Sequence, residues 1–226
     1  MARFILLLAF IGAVGFPATA SADPITIVDT GPGPAFASDP SWLVDYNTAW
    51  AAAQFSTTSP VRITNVQGWI VPRGVDFLSG PLRINLMSNA SDLPGAPLFS
   101  AFTNVPGIGQ STWYGQSGLS WHVAPGTYWL SFEALTRASF MMPGIPAERS
   151  GRAAFAVLRS ECNFNDRACW PWQPGEAQFP GTGLAVQIFG ESASGSPTPE
   201  PGSLLLLGGG MLGLMARRFT KRVWRA

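Results

Sequence analysis

The chain has 226 residues, of which 46% are hydrophobic and only 12% charged, and its formal net charge is +1. That length allows one ordinary domain with a real core, and the charge lacks the basic excess of a nucleic-acid binder. Two cysteines and a single histidine leave little material for metal or thiol chemistry.

The first residues read as an export signal. Arg3 supplies a positive start, residues 4–16 are almost unbroken apolar sequence, and Ala18-Thr19-Ala20 and Ala20-Ser21-Ala22 are overlapping small-residue cleavage sites. A signal peptide over 1–22 is therefore expected, cut after Ala22. Beyond it, residues 23–196 carry eight arginines against twelve acidic residues, a formal −4, so the basic character of the chain lies in its tail.

Next comes a stretch of good helix formers. Asp45-Tyr46-Asn47-Thr48 and the alanines that follow up to Phe55 suggest a short capped helix, or equally an extended entry loop. From residue 61 onward the reading is β. Val61 and Ile63 alternate, the phase breaks near Val66, and Trp69 and Val71 resume it, which places a bulge at the break. Leu82, Ile84 and Leu86 alternate with Arg83 and Asn85. Leu119, Trp121 and Val123 are followed, across Pro125-Gly126, by Tyr128, Leu130 and Phe132, which predicts a hairpin. Further turn signals stand at Pro72, Gly80-Pro81, Pro94-Gly95 and Pro106-Gly107. Residues 153–158 are a less regular strand, and Leu184, Val186 and Ile188 form a last one. Many short strands at this spacing predict an all-β domain over 23–190, an antiparallel β-sandwich with jelly-roll-like character.

Cys162 and Cys169 lie close together in the chain, and an exported protein meets an oxidising space, so a local disulfide is expected. Closing so short a loop is worth roughly 2 to 3 kcal/mol in the chain-entropy model. No catalytic constellation stands out. His122 is the only candidate base and falls at an outward strand position. Glu133, Glu148, Glu161 and Glu176 could serve paired-carboxylate chemistry only if two of them faced one groove. Asp92 alone falls short of a calcium site, and Asn89-Ala90-Ser91 matches a glycosylation sequon. No catalytic residue, metal ligand or cofactor is assigned. The aromatic excess is more informative. Trp113 in a glycine-rich stretch and Trp170 and Trp172 after the cysteine loop are either lids on the sandwich or platforms for sugar rings.

The end of the chain carries three parts in order. A Ser/Pro-rich linker over 191–202 contains Pro199-Glu200-Pro201, an apolar run follows over 203–216, and Arg217-Arg218-Phe219-Thr220-Lys221-Arg222 opens a basic tail over 217–226. Prolines hold the linker extended and without backbone donors, a form a peptidase can grip. Fourteen apolar residues make a helix of about 21 Å, against a hydrocarbon core of about 30 Å, so the segment suits a temporary transmembrane hold. The basic tail stays cytoplasmic by the positive-inside rule.

This order resembles the PEP-CTERM sorting signal of Gram-negative bacteria, with Pro199, Glu200 and Pro201 as the sorting motif. The resemblance implies recognition by an exosortase, an integral-membrane processing enzyme, and a link to exopolysaccharide. It also implies passage across the inner membrane and delivery to the cell surface, outer membrane or extracellular matrix. Two stretches of the middle, 82–98 and Pro125-Gly126-Thr127-Tyr128-Trp129-Leu130, resemble strands of exported jelly-roll-like domains that carry this tail. The first of these looks like a hairpin. The expectation is thus a non-enzymatic surface or matrix protein associated with exopolysaccharide. The alternatives are a carbohydrate-binding module or adhesin using Trp113, Trp170 and Trp172, and, behind both, a secreted hydrolase.

Overall fold

The structure, a computed structural model, describes residues 24–34, 41–45, 49–72, 79–135, 138–150, 152–157, 169–177 and 179–193. The chain divides into two compact units. One is Asp23–Ser194, and the other joins Met1–Ala22 to Gly195–Ala226. The second lies outside the described residues, and with it the expected signal peptide, apolar segment and basic tail.

The first unit is an antiparallel β domain. Its strands are β1 (Pro24–Asp29), β2 (Ser41–Asp45), β3 (Ala49–Thr57), β4 (Val61–Pro72), β5 (Gly80–Ala90), β6 (Leu93–Val105), β7 (Thr112–Val123), β8 (Gly126–Ala134), β9 (Ser139–Pro146), β10 (Ala153–Val157), β11 (Trp172–Pro174), β12 (Thr182–Leu184) and β13 (Val186–Ser192). A one-turn helix, α1 (Ala147–Ser150), and a 3-10 turn at Gly175–Ala177 are the described helical pieces. One layer runs β6-β5-β8-β3-β10-β11. The other carries β1-β13-β4-β7. At its far end β4 pairs with β9, which also pairs with β2 and β12. A single rung, Asp45 opposite Ala49, ties β2 to β3 and makes the whole one connected sheet.

The two layers face each other. A Cβ added at Gly68 on β4 would lie 2.7 Å from the Phe132 ring of β8, so only glycine lets the layers close at that point. Phe99 of β6 stacks on Trp121 of β7, with centroids 5.7 Å apart. Ile63, Val66, Ile70 and Ile188 from one side meet Ile84, Leu86, Leu130 and Phe132 from the other in a single buried cluster. Each such side chain contributes roughly 1.5 to 3 kcal/mol by leaving water.

Several expectations hold in detail. The phase break in β4 is a bulge, for the pairing with β7 shifts between Ile63 and Asn65. Beyond it, however, Val66, Gly68 and Ile70 are buried, so Trp69 and Val71 lie on the opposite face instead of resuming the phase of Val61 and Ile63. β5 and β6 form the expected hairpin, closed at Ala90 opposite Leu93. Its corner is Ser91-Asp92, both at positive φ (50° and 61°), as a two-residue turn with the twist of its strands requires. Pro94-Gly95 therefore lies inside β6 rather than at the corner. There the register slips, and the Ser88 hydroxyl accepts from the Ala96 N–H at 3.0 Å.

Two expectations are corrected. The stretch read as a helix is β3 from Ala49 onward, and residues 46–48 lie outside the described residues. Ala51, Ala52 and Ala53 are all buried, because this central strand is covered on both faces. Small side chains there answer a space requirement, which outweighs alanine's helix preference. The second correction is the hairpin across Pro125-Gly126. β7 pairs with β4, whereas β8 pairs with β3 and β5, so this connection crosses between layers. The Ala124 carbonyl holds the crossing by accepting from the Tyr128 hydroxyl at 2.9 Å and the Thr57 hydroxyl at 3.1 Å. Lastly, β13 continues through Glu191 and Ser192, two residues into the segment read as linker.

Candidate functional site

The outward side of the β5–β8–β3 layer is not a solvated face. Trp129, Ser131 and Glu133 alternate with the core residues of β8, yet all three are buried. A chain of polar contacts crosses the strands there. Ser100 of β6 donates to Asn85 Oδ1 at 2.6 Å, and Asn85 Nδ2 donates to the Ser131 hydroxyl at 3.0 Å. Ser131 in turn donates to Glu133 Oε1 at 3.0 Å. Arg83 grips the other carboxylate oxygen with Nε and Nη2, at 2.9 and 2.6 Å. Glu133 is fully buried and Arg83 only 26% exposed, so the charge is matched where water does not reach.

Tryptophans flank this network. The Arg83 guanidinium carbon lies 5.9 Å from the Trp50 ring centre, and Trp50 stacks flat on Trp170 at 3.8 Å. Both rings are buried, together with Cys169 and Ala156. Trp172 is half-buried against Trp50 and Trp129 and their neighbours. The Trp129 indole donates to Asn89 Oδ1 at 2.8 Å, which uses the side chain of the sequon asparagine.

Trp113 lies elsewhere. It stands on β7 directly opposite Trp69 of β4, edge to face, with centroids 5.4 Å apart. The structure thus brings Trp170 and Trp172 together and leaves Trp113 on the other layer. Trp50 and Trp69, the partners that complete each cluster, are not distinguishable from other strand tryptophans by sequence. The bulge in β4 turns Trp69 outward, although the sequence pattern sets it in phase with Val61 and Ile63, and the β4–β7 register sets Trp113 beside it.

The remaining candidates are dispersed. His122 is exposed on β7, 3.5 Å from the Ser120 hydroxyl. Asp92 is exposed in its turn and pairs with Arg152 at 3.0 Å. Glu148 is exposed on α1, and Glu176 stands on the 3-10 turn. Glu161 and Cys162 lie outside the described residues, and so does the pairing expected of Cys162 with Cys169. Among the described residues no group of three or more His, Cys, Asp or Glu is placed to hold a metal ion, and no helix is long and apolar enough to cross a membrane. Tyr114, whose side chain packs at the core edge, has its phenol pushed above its usual value near 10 by burial.

Comparison with known proteins gives a structural likeness and a motif. A crystal structure of the cysteine protease and lectin-like domains of Cwp84, a surface layer associated protein of Clostridium difficile, aligns with a TM-score of 0.44 and 8% identity. The alignment covers 69% of this chain and 37% of that one, so the chain spans little more than a third of its length. No curated protein matches. At the C-terminal end, over residues 197–222, the chain carries the PEP-CTERM protein-sorting motif.

Proposed function

We propose that this is a non-enzymatic protein of the cell surface or extracellular matrix, associated with exopolysaccharide. In this reading a signal peptide over 1–22 exports the chain, and the apolar run over 203–216 holds it in the inner membrane for a time. An exosortase-type enzyme then acts near Pro199-Glu200-Pro201. The exported part is a jelly-roll-like β-sandwich, stapled by a Cys162–Cys169 disulfide. The observation that carries the reading is the sorting motif behind a single β unit. Exosortase processing and sorting to the surface are what that motif implies.

Fractionation of a host that has the sorting enzyme tests the proposal. The processed chain is expected in the surface or matrix fraction, and digestion of the matrix polysaccharide should release it. A chain found in the periplasm, unaffected by glycan digestion, contradicts the proposal. Non-reducing peptide mapping should show one linked cysteine loop.

The second reading is a carbohydrate-binding module or adhesin. It is favoured by the partly exposed tryptophans, since stacking on sugar needs an accessible ring face.

A further inference from the structure

Of the eight tryptophans in the described residues, Trp42, Trp50, Trp121, Trp129 and Trp170 are at most 6% exposed. Of these eight, Trp69, Trp113 and Trp172 are partly exposed. Trp172 packs against two buried clusters, whereas Trp69 and Trp113 form their own pair on the outward face of the β4–β7 layer. We propose that this pair and the amides beside it bind a neutral polysaccharide. The inference rests on the proposed association with exopolysaccharide and gives it a location.

The rings are fixed before any ligand arrives. The Trp69 indole N–H donates to the Pro34 carbonyl at 3.0 Å. Gly33 closes against the same ring, for a Cβ there would lie 2.9 Å from Trp69 Cδ1. Trp113 meets Trp69 at an interplanar angle of 74°, so the two make a corner with one aromatic wall from each strand. A rigid aromatic corner loses little conformational freedom on binding. It offers apolar surface to the C–H face of a sugar.

The next rung supplies polarity without charge. Gln67 stands opposite Gly115 of β7 on one side and Gln187 of β13 on the other. At Gly115 a Cβ would fall 1.9 Å from the Val66 carbonyl oxygen, so no side chain can stand between the corner and Gln67. Gln187 donates to Asp29 Oδ1 at 3.1 Å, which orients its amide and leaves its carbonyl oxygen to accept. Gln67 makes no side-chain hydrogen bond among the described residues, so both of its donors and its acceptor are available. The Asp29 carboxylate at this edge also accepts from the Gly31 N–H at 2.9 Å. Paired aromatic walls with uncharged donors and acceptors match a hydroxyl-rich, uncharged polymer better than a polyanion.

The test is affinity electrophoresis of the full chain in non-ionic detergent, through gels containing hydroxyethylcellulose, dextran or alginate. At least one neutral polymer should retard the wild-type chain. Trp113→Ala and Gln67→Ala should each weaken that retardation, the first by about tenfold. Phe102→Ala, an exposed ring on the other layer (56% exposed), should leave it unchanged. Thermal melts run in parallel, and if Trp113→Ala melts early the Gln67→Ala variant decides. Wild-type retardation that survives in both variants overturns this site while sparing the polysaccharide association. Retardation by alginate alone overturns the neutral ligand, and no retardation by any polymer overturns both the site and the association.

Discussion

Glu133 lies on the face of β8 opposite the main core, at a position that strand alternation marks as solvent-facing, and it is fully buried. Arg83 and Ser131 meet its carboxylate there, and breaking such a pair from one side costs far more than the pair is worth. Arg83→Met should therefore lower stability by roughly 3 kcal/mol, read as a shift of the urea midpoint with the slope unchanged. An Arg83→Met, Glu133→Leu double variant should recover much of that loss. Loss that simply adds would show that the two side chains act independently. Tyr114 makes a second prediction. Burial raises its pKa, so the folded state holds the phenolic proton more tightly than the unfolded state does. Its contribution is complete below the unfolded value near pH 10 and is lost as pH rises through the higher folded value. Alkaline absorbance titration should show a phenolate step above pH 10 that Tyr114→Phe removes, and the variant's stability should fall less between pH 9 and 11. Loss of stability with the same slope in both proteins would contradict the assignment.

The elements differ in how far the sequence announces them. β5 and β6 are local: alternating Leu82, Ile84 and Leu86 mark β5, and the resemblance of 82–98 to a hairpin supplies its partner, although the corner falls at Ser91-Asp92 and not at Pro94-Gly95. The bulge in β4 was equally readable, because the phase of its apolar residues records it. The strand over 49–57 was not. Its alanines signal helix locally, and the reason for them is that β8 and β10 pack on either edge while side chains cover both faces. The partners of β7 and β8 were hidden for the same reason: Pro125-Gly126 fits a hairpin corner and a crossing between layers alike. The candidate sites follow this rule. Trp113 and Trp170 could be singled out as residues, but Trp69 and Trp50 join them only through pairing that no local pattern encodes. The corner at Ser91-Asp92 offers a test at this scale. Both residues sit at positive φ, which costs most side chains and suits Asn-Gly. Ser91→Asn with Asp92→Gly should stabilise by about 1 kcal/mol, a rise of about 2 to 4 °C in Tm. The Asp92–Arg152 pair lost in the exchange is solvent-exposed on both sides, so its absence should subtract little. A fall in Tm would show that the ion pair, not the backbone, governs this corner.

For the whole molecule, in the proposed reading, the sorting motif sets the destination and the β unit meets what is found there. The motif depends on three physical parts in sequence, over residues 197–222. Pro197, Pro199 and Pro201 restrict φ and lack backbone donors, so the sequence of this segment disfavours helix. As a helix the apolar run would be about 9 Å shorter than the hydrocarbon core, which in the proposed reading makes the membrane hold weak and release easy. In the same reading the positive-inside rule holds the basic cluster on the cytoplasmic side and leaves the proline motif facing outward, where a membrane enzyme can reach it. Within this frame Glu200 is the only acidic side chain of the tail. Replacing it by alanine removes the charge but leaves the extended backbone, the apolar run and the basic stop in place. Glu200→Ala should therefore still be exported and held, and should accumulate at the inner membrane as a longer precursor whose terminal peptide ends at Ala226. In the wild-type chain that peptide should disappear from the surface fraction. If the variant instead loses the peptide at the wild-type rate, processing does not read this carboxylate. If the wild-type surface protein retains Ala226 in a host with the enzyme, the tail is an anchor and the β unit works at the inner membrane.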